Sequence, residues 1–326
     1  MLNTAITQPR ELDGVDPAFR DDVLRGLAQP AKTIPARWFY DLRGSQLFEA
    51  ITALPEYYPT RIETELLRER AGAVAWAVGP SPVVVEFGSG SSLKTRLLLQ
   101  AMLRATYVPI DICGEFMEEA CEGLERLFPE LKILPVEADF TQPLRLPVER
   151  GSGAMLGFFP GSTIGNLLPA AAVDLLRAMR KTLGDEARLL IGIDRVKDTE
   201  TLLRAYDDPG GITAEFNLNL AHRINRELDG TIPVEALEHE VRWNPAWNRI
   251  EMHLRARRAI RFEVCGRTFG MAAGETIHTE NCHKYTPDQI SLLLHAGGWG
   301  ECNHWSDPQG MFSLVLAEAV TETSGP

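Results

Sequence analysis

The 326-residue chain, with 44% hydrophobic and 24% charged residues, has the length and composition of a globular protein with one large or two moderate domains. Its net charge of −12 would repel a phosphate backbone, which argues against a nucleic-acid partner. No stretch approaches the roughly 20 apolar residues that cross a bilayer, residues 1–10 carry no signal-peptide core, and the five scattered cysteines form no CxxC pair, so we expect a cytoplasmic protein that contacts no membrane.

The N-terminal part of the chain predicts helices before the first strand. Residues 11–30 and 44–54 have the apolar spacing of helices. Thr60 is a candidate N-cap for a long helix over 61–78, and Glu63 stands at the capping-box position three residues later.

Strands alternate with helices from residue 83 onward. Val83–Phe87 is a continuous apolar run, which is typical of a strand buried on both faces. The alternation predicts a parallel, doubly wound sheet. Further strands are predicted at 106–110, 132–137, 154–159 and 187–193, and helices at 93–103, 115–127 and 170–182.

The alternation stops after residue 198. Residues 199–225 predict helices, and residues 236–270 predict antiparallel strands with alternating apolar residues. A helix at 287–296 and two later strands, the second at 312–317, supply elements that the first sheet lacks. We therefore predict an α/β fold in which a second, smaller α+β domain is inserted into a doubly wound, Rossmann-like sheet.

The segment after the first strand is a candidate ligand-binding turn. Gly88 and Gly90 let the backbone turn tightly and let a ligand approach it closely. This G-x-G pattern lacks the third glycine of a dinucleotide fingerprint, and by itself it is equally consistent with an ordinary turn. Asp111 ends the next strand, where an acid can bind both ribose hydroxyls of a nucleoside.

Asp139 and Phe140 follow the strand after that one. Asp139 could accept a hydrogen bond from an adenine amine, and Phe140 could cover the ring. Three successive strand ends with such side chains, and no further glycine for a pyrophosphate, favour S-adenosylmethionine as the cofactor. A nicotinamide dinucleotide is the alternative cofactor, and in the simplest structural interpretation Asp111 and Asp139 are only turn residues.

Asn166 follows the fourth strand, in the segment that faces the transferred methyl group in amine methyltransferases. Its amide oxygen can accept a hydrogen bond from a neutral amine and orient the lone pair. Asn166 could instead cap the following helix. We predict the substrate role.

Several motifs extend this interpretation to nearly the whole chain. They are RWFYDLRGSQLF at 37–48, LPEYYPTR, EFGSGSSLKTRLLL, GSTIGNLLP, VKDTETLLRAYDDPGGITAEFN, INREL, RIEMHLRA, AAGETIHTE and HWSDPQGMFSL. On these motifs the chain resembles the L-histidine Nα-methyltransferases of ergothioneine biosynthesis. The resemblance implies a transferase that trimethylates histidine to hercynine, and we expect it to act as a monomer on a small amino-acid substrate.

The resemblance also implies a domain organisation and a set of cofactor residues. The methyltransferase domain would comprise 62–198 plus 286–322, and the substrate-binding domain 9–61 plus 199–285. The residues that would contact S-adenosylmethionine are Gly88, Lys94, Asp111, Asp139 and Phe140, together with Gly90 of the turn.

The acceptor residues come from the same resemblance. Tyr40 and Tyr57 would belong to a substrate lid. The α-amine and carboxylate would be held by Tyr57, Asn166 and Tyr206. Glu280 would accept a hydrogen bond from the imidazole, and Met252 would line the side-chain pocket. Asn166 and Tyr40 are our candidate catalytic residues. The sequence shows no obvious general base, so a tyrosine or water would relay the amine proton.

Cys282 departs from the family pattern, which has serine two residues after the acid that bonds the imidazole. A thiol is a weaker hydrogen-bond donor than a hydroxyl, so another α-amino acid such as tryptophan is the alternative acceptor. We expect no metal site, because His278 and Cys282 would need a helix to share a face and this segment is predicted to be extended. A non-catalytic binding module or a nicotinamide-dependent oxidoreductase are the remaining alternatives.

Overall fold

The computed structural model describes residues 15–90, 93–102, 104–148 and 153–320. The predictions for the terminal residues 1–14 and 321–322 therefore lie outside the described residues. None of the helices within the described ranges combines the length and the apolar character that crossing a bilayer demands.

The described residues form nine α-helices. In chain order these are α1 Pro17–Leu27, α2 Leu42–Thr52, α3 Tyr58–Val78, α4 Leu93–Ala101, α5 Gly114–Leu127, α6 Pro169–Leu183, α7 Thr199–Tyr206, α8 Ile212–Glu227 and α9 Pro287–Ala296. Short 3-10 turns are present at Ala36–Phe39, Thr163–Asn166 and Val234–Ala236.

Fourteen strands are present in the same ranges. They are β1 Lys32–Thr33, β2 Val83–Phe87, β3 Thr106–Asp111, β4 Lys132–Ile133, β5 Val136–Glu137, β6 Met155–Phe159, β7 Arg188–Asp194, β8 Leu237–Asn244, β9 Arg249–Ala256, β10 Ile260–Val264, β11 Arg267–Met271, β12 Thr276–His283, β13 Trp299–Ser306 and β14 Phe312–Ala319.

The described residues fall into two compact units. The larger unit comprises residues 52–198, 245–249 and 282–320, and the smaller unit comprises residues 15–51, 199–244 and 250–281.

The larger unit contains an eight-stranded sheet in the order β13-β14-β7-β6-β2-β3-β4, with β5 also paired to β3. Strands β4, β3, β2, β6 and β7 are parallel, whereas β14 is antiparallel to both β7 and β13. A parallel sheet of this kind is covered by helices on both faces. The predicted fold class, a doubly wound Rossmann-like methyltransferase sheet, is confirmed.

Strand order reverses at β2, which positions a ligand site. The chain passes from β2 to β3 on one side, and it later returns to place β6 on the other side of β2. Loops that leave the carboxyl ends on either side of such a switch point diverge and form a crevice, where ligands of open α/β sheets bind.

Close packing around β2 and β6 holds this switch point in place. All five residues of β2 are buried, as the apolar run predicted. On β6, a Cβ added to Gly157 would lie 2.6 Å from Leu183, so the helix packed there leaves no room for a side chain.

The smaller unit contains a sheet in the order β1-β12-β9-β8 and a separate hairpin of β10 and β11. Helices α7 and α8 contact β8. The ring of Phe216 on α8 packs 4.5 Å from the ring of Phe39, which joins the N-terminal segment to this core. The α+β character predicted for the second region is therefore present.

Candidate active site

Two glycines follow β2 and form a tight turn at its carboxyl end. Gly88 and Gly90 have φ angles of +75° and +48°, a region that favours glycine. The amide of Gly88 donates to the carbonyl of Ile110 at 2.8 Å, which ties the turn to the end of β3. A Cβ on Gly90 would meet no atom of the described residues within 4 Å, so a ligand could approach the backbone there.

Asp111 at the end of β3 is bonded directly to this turn. Its Oδ2 accepts from the amide of Gly90 at 3.0 Å, and its Oδ1 accepts from the amide of Cys113 at 3.1 Å. The residue is partly exposed, so lone pairs on both oxygens remain available to a ligand.

Asp139 and Phe140 lie next along the same edge of the sheet. The amide of Ala138 donates to the carbonyl of Asp111 at 3.0 Å, which places this segment beside β3. Asp139 is exposed, and the ring of Phe140 would lie 3.5 Å from a Cβ on Gly88. The structure thus brings the predicted cofactor residues of three strand ends together.

Glu63 on α3 is a buried acid, and the prediction that it belongs to a capping box is wrong. Helix α3 begins at Tyr58, and its N-cap position receives no side-chain hydrogen bond, so Glu63 is not part of a capping box with Thr60. Its carboxylate instead pairs with the ammonium of Lys94 and accepts from the amide of Gly161 at 2.8 and 3.0 Å.

A glycine on β7 makes room for this acid, because a Cβ on Gly192 would lie 1.8 Å from Oε1 of Glu63. Lys94, which the resemblance assigns to the cofactor, is therefore held by a carboxylate with no exposed surface. The spacing of apolar residues, which predicts strands and helices, does not indicate a pair of side chains so far apart in the sequence.

Strand β7 ends at Asp194, whose buried carboxylate contacts three polar side chains. Its Oδ2 lies 2.7 Å from Nζ of Lys284 and accepts from the hydroxyl of Tyr58 at 2.7 Å, while Oδ1 lies 2.5 Å from Nζ of Lys197. Burial opposes ionisation, but the two lysines lower the pKa of Asp194. This acid was missed, although it stands at a strand end like Asp111.

The pKa values of Lys197 and Lys284 are shifted in opposite directions. Burial lowers the pKa of Lys197 to about 8, against the attraction of Asp194. Burial acts on Lys284 in the same direction, but there the attraction of Asp194 prevails and raises the pKa well above its usual value. Lys284 therefore favours its charged form beside the carboxylate of Asp194.

Asn166 ends the 3-10 turn Thr163–Asn166 after β6. The amide of Asp194 donates to Oγ of Ser162 at 2.9 Å, which fixes the start of this turn beside the end of β7. The N-cap of α6 is Leu168, and its side chain makes no capping hydrogen bond. Asn166 therefore does not occupy the cap position that was its alternative role.

Cys282 lies against the same segment of the larger unit. Its Sγ accepts from Nζ of Lys284 at 3.1 Å and would lie 3.6 Å from a Cβ on Gly165. Nδ1 of His283 lies 2.9 Å from the carbonyl oxygen of Gly165. The sulfur is thus oriented by a buried cation, a contact that its position in the sequence does not reveal.

The remaining predicted substrate residues are distributed over both units. In the larger unit, Tyr57 is buried immediately before α3. In the smaller unit, Tyr206 ends α7, Met252 lies on β9, and Glu280 lies on the neighbouring strand β12, and all three residues are buried.

Tyr40 lies in an aromatic cluster of the smaller unit. Its ring packs edge-on against Phe48 and Phe216, with centroid distances of 5.8 and 5.9 Å. The residue remains partly exposed.

Comparison with known proteins decides between the cofactors that the strand ends left open. The sequence model of one protein family, described as histidine-specific methyltransferase, SAM-dependent, matches residues 19–319. The chain belongs to this family. It is therefore an S-adenosylmethionine-dependent methyltransferase, and the nicotinamide-dependent oxidoreductase and the non-catalytic module are wrong.

Relatives of this methyltransferase match over most of its length. The chain is 42% identical to the histidine N-alpha-methyltransferase of Mycobacterium tuberculosis, covering 92% of this chain and 94% of the relative. It is 41% identical to the protein of the same name in Mycolicibacterium smegmatis, covering 94% and 96%. Ergothioneine biosynthesis protein 1 of Neurospora crassa is 31% identical over 63% of this chain and 24% of the relative.

Proposed function

We propose that this methyltransferase transfers methyl groups to the α-amine of free histidine, three times in succession, and so produces hercynine. The observation that carries the proposal is the 42% identity to the Mycobacterium tuberculosis histidine N-alpha-methyltransferase across 92% of the chain. The family match spans both compact units, so it covers the acceptor residues as well as the strand ends.

The residues at the strand ends of the larger unit fit S-adenosylmethionine. Ser89, which stands between the two turn glycines in the sequence, supports this fit, because its buried Oγ makes no hydrogen bond to any described residue and could bond to a ligand. We assign the cofactor to the carboxyl edge of the sheet. The assigned residues are Gly88, Gly90, Lys94, Asp111, Asp139 and Phe140.

Within this set each side chain offers a chemically distinct contact. Asp111 can accept from ribose hydroxyls, Asp139 from an adenine amine, and Phe140 can cover the base. Lys94 can bind a carboxylate, and Glu63 holds its ammonium in place for that purpose.

The acceptor residues follow the family resemblance. Tyr57, Asn166 and Tyr206 are proposed to hold the amine and carboxylate of the amino acid. Met252, Glu280 and Cys282 are proposed to contact its side chain, with Glu280 accepting a hydrogen bond from the imidazole. We accordingly propose that the smaller unit contributes to acceptor binding.

The chemistry requires positioning more than activation. S-adenosylmethionine, when bound, supplies a sulfonium methyl group with its own leaving group. The α-amine must be neutral to present a lone pair, and in the first two transfers, while it still carries an N–H, the amide oxygen of Asn166 can accept a hydrogen bond from it and orient the lone pair. Tyr40 is the candidate for passing the released proton to water, since its ring is fixed by Phe48 and Phe216 while the residue stays partly exposed.

A second acceptor is favoured by one specific observation. Cys282 stands where the family has serine, and its thiol, which accepts from Lys284, is a weaker hydrogen-bond donor to an imidazole than a hydroxyl. Another α-amino acid, tryptophan above all, is therefore the second candidate for the same chemistry.

Mass spectrometry of products tests both candidates. The protein is incubated with S-adenosylmethionine and each of the twenty amino acids in turn, and mass gains of one to three methyl groups are recorded. We expect histidine to give the trimethylated product at the highest rate. Faster methylation of tryptophan or another amino acid would overturn the histidine assignment, and no methylation of any of them would overturn the proposed function.

A further inference from the structure

A continuous line of hydrogen bonds crosses the smaller unit. It starts at the carbonyl of Tyr206, the last residue of α7, which lies 2.9 Å from Nε2 of His239 on β8. Nδ1 of His239 lies 2.8 Å from Nδ2 of Asn217 on α8, and Oδ1 of Asn217 accepts from the hydroxyl of Thr279 on β12 at 2.8 Å. The same hydroxyl lies 3.0 Å from the carbonyl oxygen of Met252 on β9.

The donors and acceptors along this line allow one arrangement. Nδ2 of Asn217 also donates to the carbonyl of His253 at 3.0 Å, while its Oδ1 faces the hydroxyl of Thr279. Flipping the amide would set its oxygen against the carbonyl oxygen of His253, which cannot donate, so Nδ2 stays on this side and Asn217 must donate to Nδ1 of His239. The imidazole proton therefore sits on Nε2, where it donates to the carbonyl of Tyr206.

Burial makes this arrangement costly to disturb. Asn217 and Thr279 are almost completely inaccessible to solvent. Burial also lowers the pKa of His239, against the opposing effects of the Tyr206 carbonyl and the acids Asp207 and Asp208, so the neutral ring is preferred. A carbonyl in the last turn of a helix has no partner within the helix, and His239 supplies the partner for Tyr206.

We propose that His239 is a positioning residue for the amino-acid acceptor: it fixes the main chain of Tyr206 through a tautomer that Asn217 and Thr279 determine. The Thr279 hydroxyl, whose single proton is donated to Asn217, also lies 3.0 Å from the carbonyl oxygen of Met252, and Thr279 immediately precedes Glu280. Three acceptor residues assigned to this unit thus adjoin one buried network. The inference rests on the proposed function, because it requires Tyr206 to bind the acceptor.

Two substitutions of His239 separate its two hydrogen bonds. In His239→Gln the side-chain amide can still donate to the carbonyl of Tyr206, whereas in His239→Asn the shorter side chain can replace only the acceptor for Asn217. Calorimetry with S-adenosylhomocysteine present measures the Kd of the acceptor amino acid. We expect His239→Asn to weaken acceptor binding about tenfold, as for one lost buried hydrogen bond, and His239→Gln to retain most of the affinity.

A matched pair at Thr279 tests the other end of the line. Thr279→Ser keeps the hydroxyl, and Thr279→Val keeps the shape without it. We expect the serine variant to bind the acceptor like the parent protein and the valine variant to bind it more weakly. The Kd of S-adenosylhomocysteine alone should change less than about twofold in all four variants, because the cofactor residues lie in the larger unit.

Each outcome is decisive. Equal losses in the glutamine and asparagine variants, or acceptor losses matched by equal losses of S-adenosylhomocysteine affinity, would show a merely structural network and overturn the inference. Failure of the proposed function would appear instead in the parent protein, as methylation of a different amino acid, which then replaces histidine in the titrations. A parent protein that binds no amino acid would overturn both.

Discussion

The carboxylate of Glu63 has no exposed surface, yet it pairs with Lys94 and accepts twice from the amide of Gly161. At the scale of single residues, such a buried acid does not add stability simply by being charged. Removing the acid destabilises the folded protein, because the partner cation then lies in a poorly solvated position without an opposite charge. The same logic applies to Asp194 with its two lysines.

Glu63→Gln should therefore destabilise the protein by about 3 kcal/mol, because Lys94 loses its counter-charge while the shape is preserved. Urea denaturation measures the change. Glu69→Gln on the same helix is the matched control, since Glu69 is exposed and should shift the free energy of unfolding by less than about 0.5 kcal/mol. Equal effects of the two substitutions would contradict the role given to the buried pair.

Glu280→Ala should raise the KM for histidine about 100-fold, because it removes an acceptor from a buried polar position. The Kd of S-adenosylhomocysteine should stay within about twofold, and Glu280→Gln should be less severe because an amide oxygen still accepts. Steady-state kinetics and calorimetry supply the two readouts. Parallel losses of both affinities would place Glu280 in a structural role.

At the scale of elements, β2 contains a buried acid beneath the glycine turn. The hydroxyls of Thr95 and Tyr107 both donate to Oε2 of Glu86. Burial nevertheless dominates and raises the pKa of Glu86 to about 8. The carboxyl group of Glu86, on the strand that leads into the glycine turn, therefore favours its protonated form at neutral pH.

This shift predicts a pH dependence of stability. The pKa of Glu86 in the folded protein lies above its pKa in the unfolded chain. The contribution of Glu86 to the free energy of unfolding is therefore complete below the unfolded pKa, and it is lost as the pH rises toward about 8. Glu86→Gln should flatten the stability profile between pH 5 and pH 8 by up to about 1.4 kcal/mol per pH unit. Urea denaturation across this range measures it, and unchanged slopes would show that Glu86 does not titrate there.

The elements of the larger unit could be predicted because each signal is local. The apolar run of β2 and the alternation of strands and helices identify the sheet, and glycines and acids at strand ends identify its ligand edge. Other features depend on distant partners: the two-residue β1 is defined only by pairing with β12. The start of α3 was misplaced because Thr60 has the residue type of a cap, whereas Pro59 already lies in the first turn.

The same limit applies to the candidate site. Gly88, Asp111 and Phe140 were predicted as cofactor residues because they stand at strand ends, and the structure brings them together, although their roles stay predictions. The roles of the acceptor residues came from family resemblance and remain proposals. The sequence pattern indicated a capping role for Glu63, which is wrong, and it gave no signal for His239, because the partners of both residues lie on other elements.

At the scale of the whole molecule, ligand binding should be visible in the unfolding equilibrium. S-adenosylhomocysteine at 100 times its Kd should raise the free energy of unfolding by about 2.7 kcal/mol, since only the folded sheet edge can bind it. Asp111→Ala should remove most of this gain, and NAD at the same concentration should give none. Thermal denaturation with each ligand measures the effect. A gain unaffected by Asp111→Ala would place the cofactor elsewhere.

The pairing of β14 has a consequence for how the protein is made. This strand lies between β7 and β13 and covers the side of β7 that faces away from β6. During translation β7 is synthesised long before β14, and residues 199–281, which contain most of the smaller unit, emerge in between. The antiparallel pairing of β7 with β14 therefore cannot form until more than a hundred further residues have been synthesised, and until then this edge of β7 has no neighbouring strand.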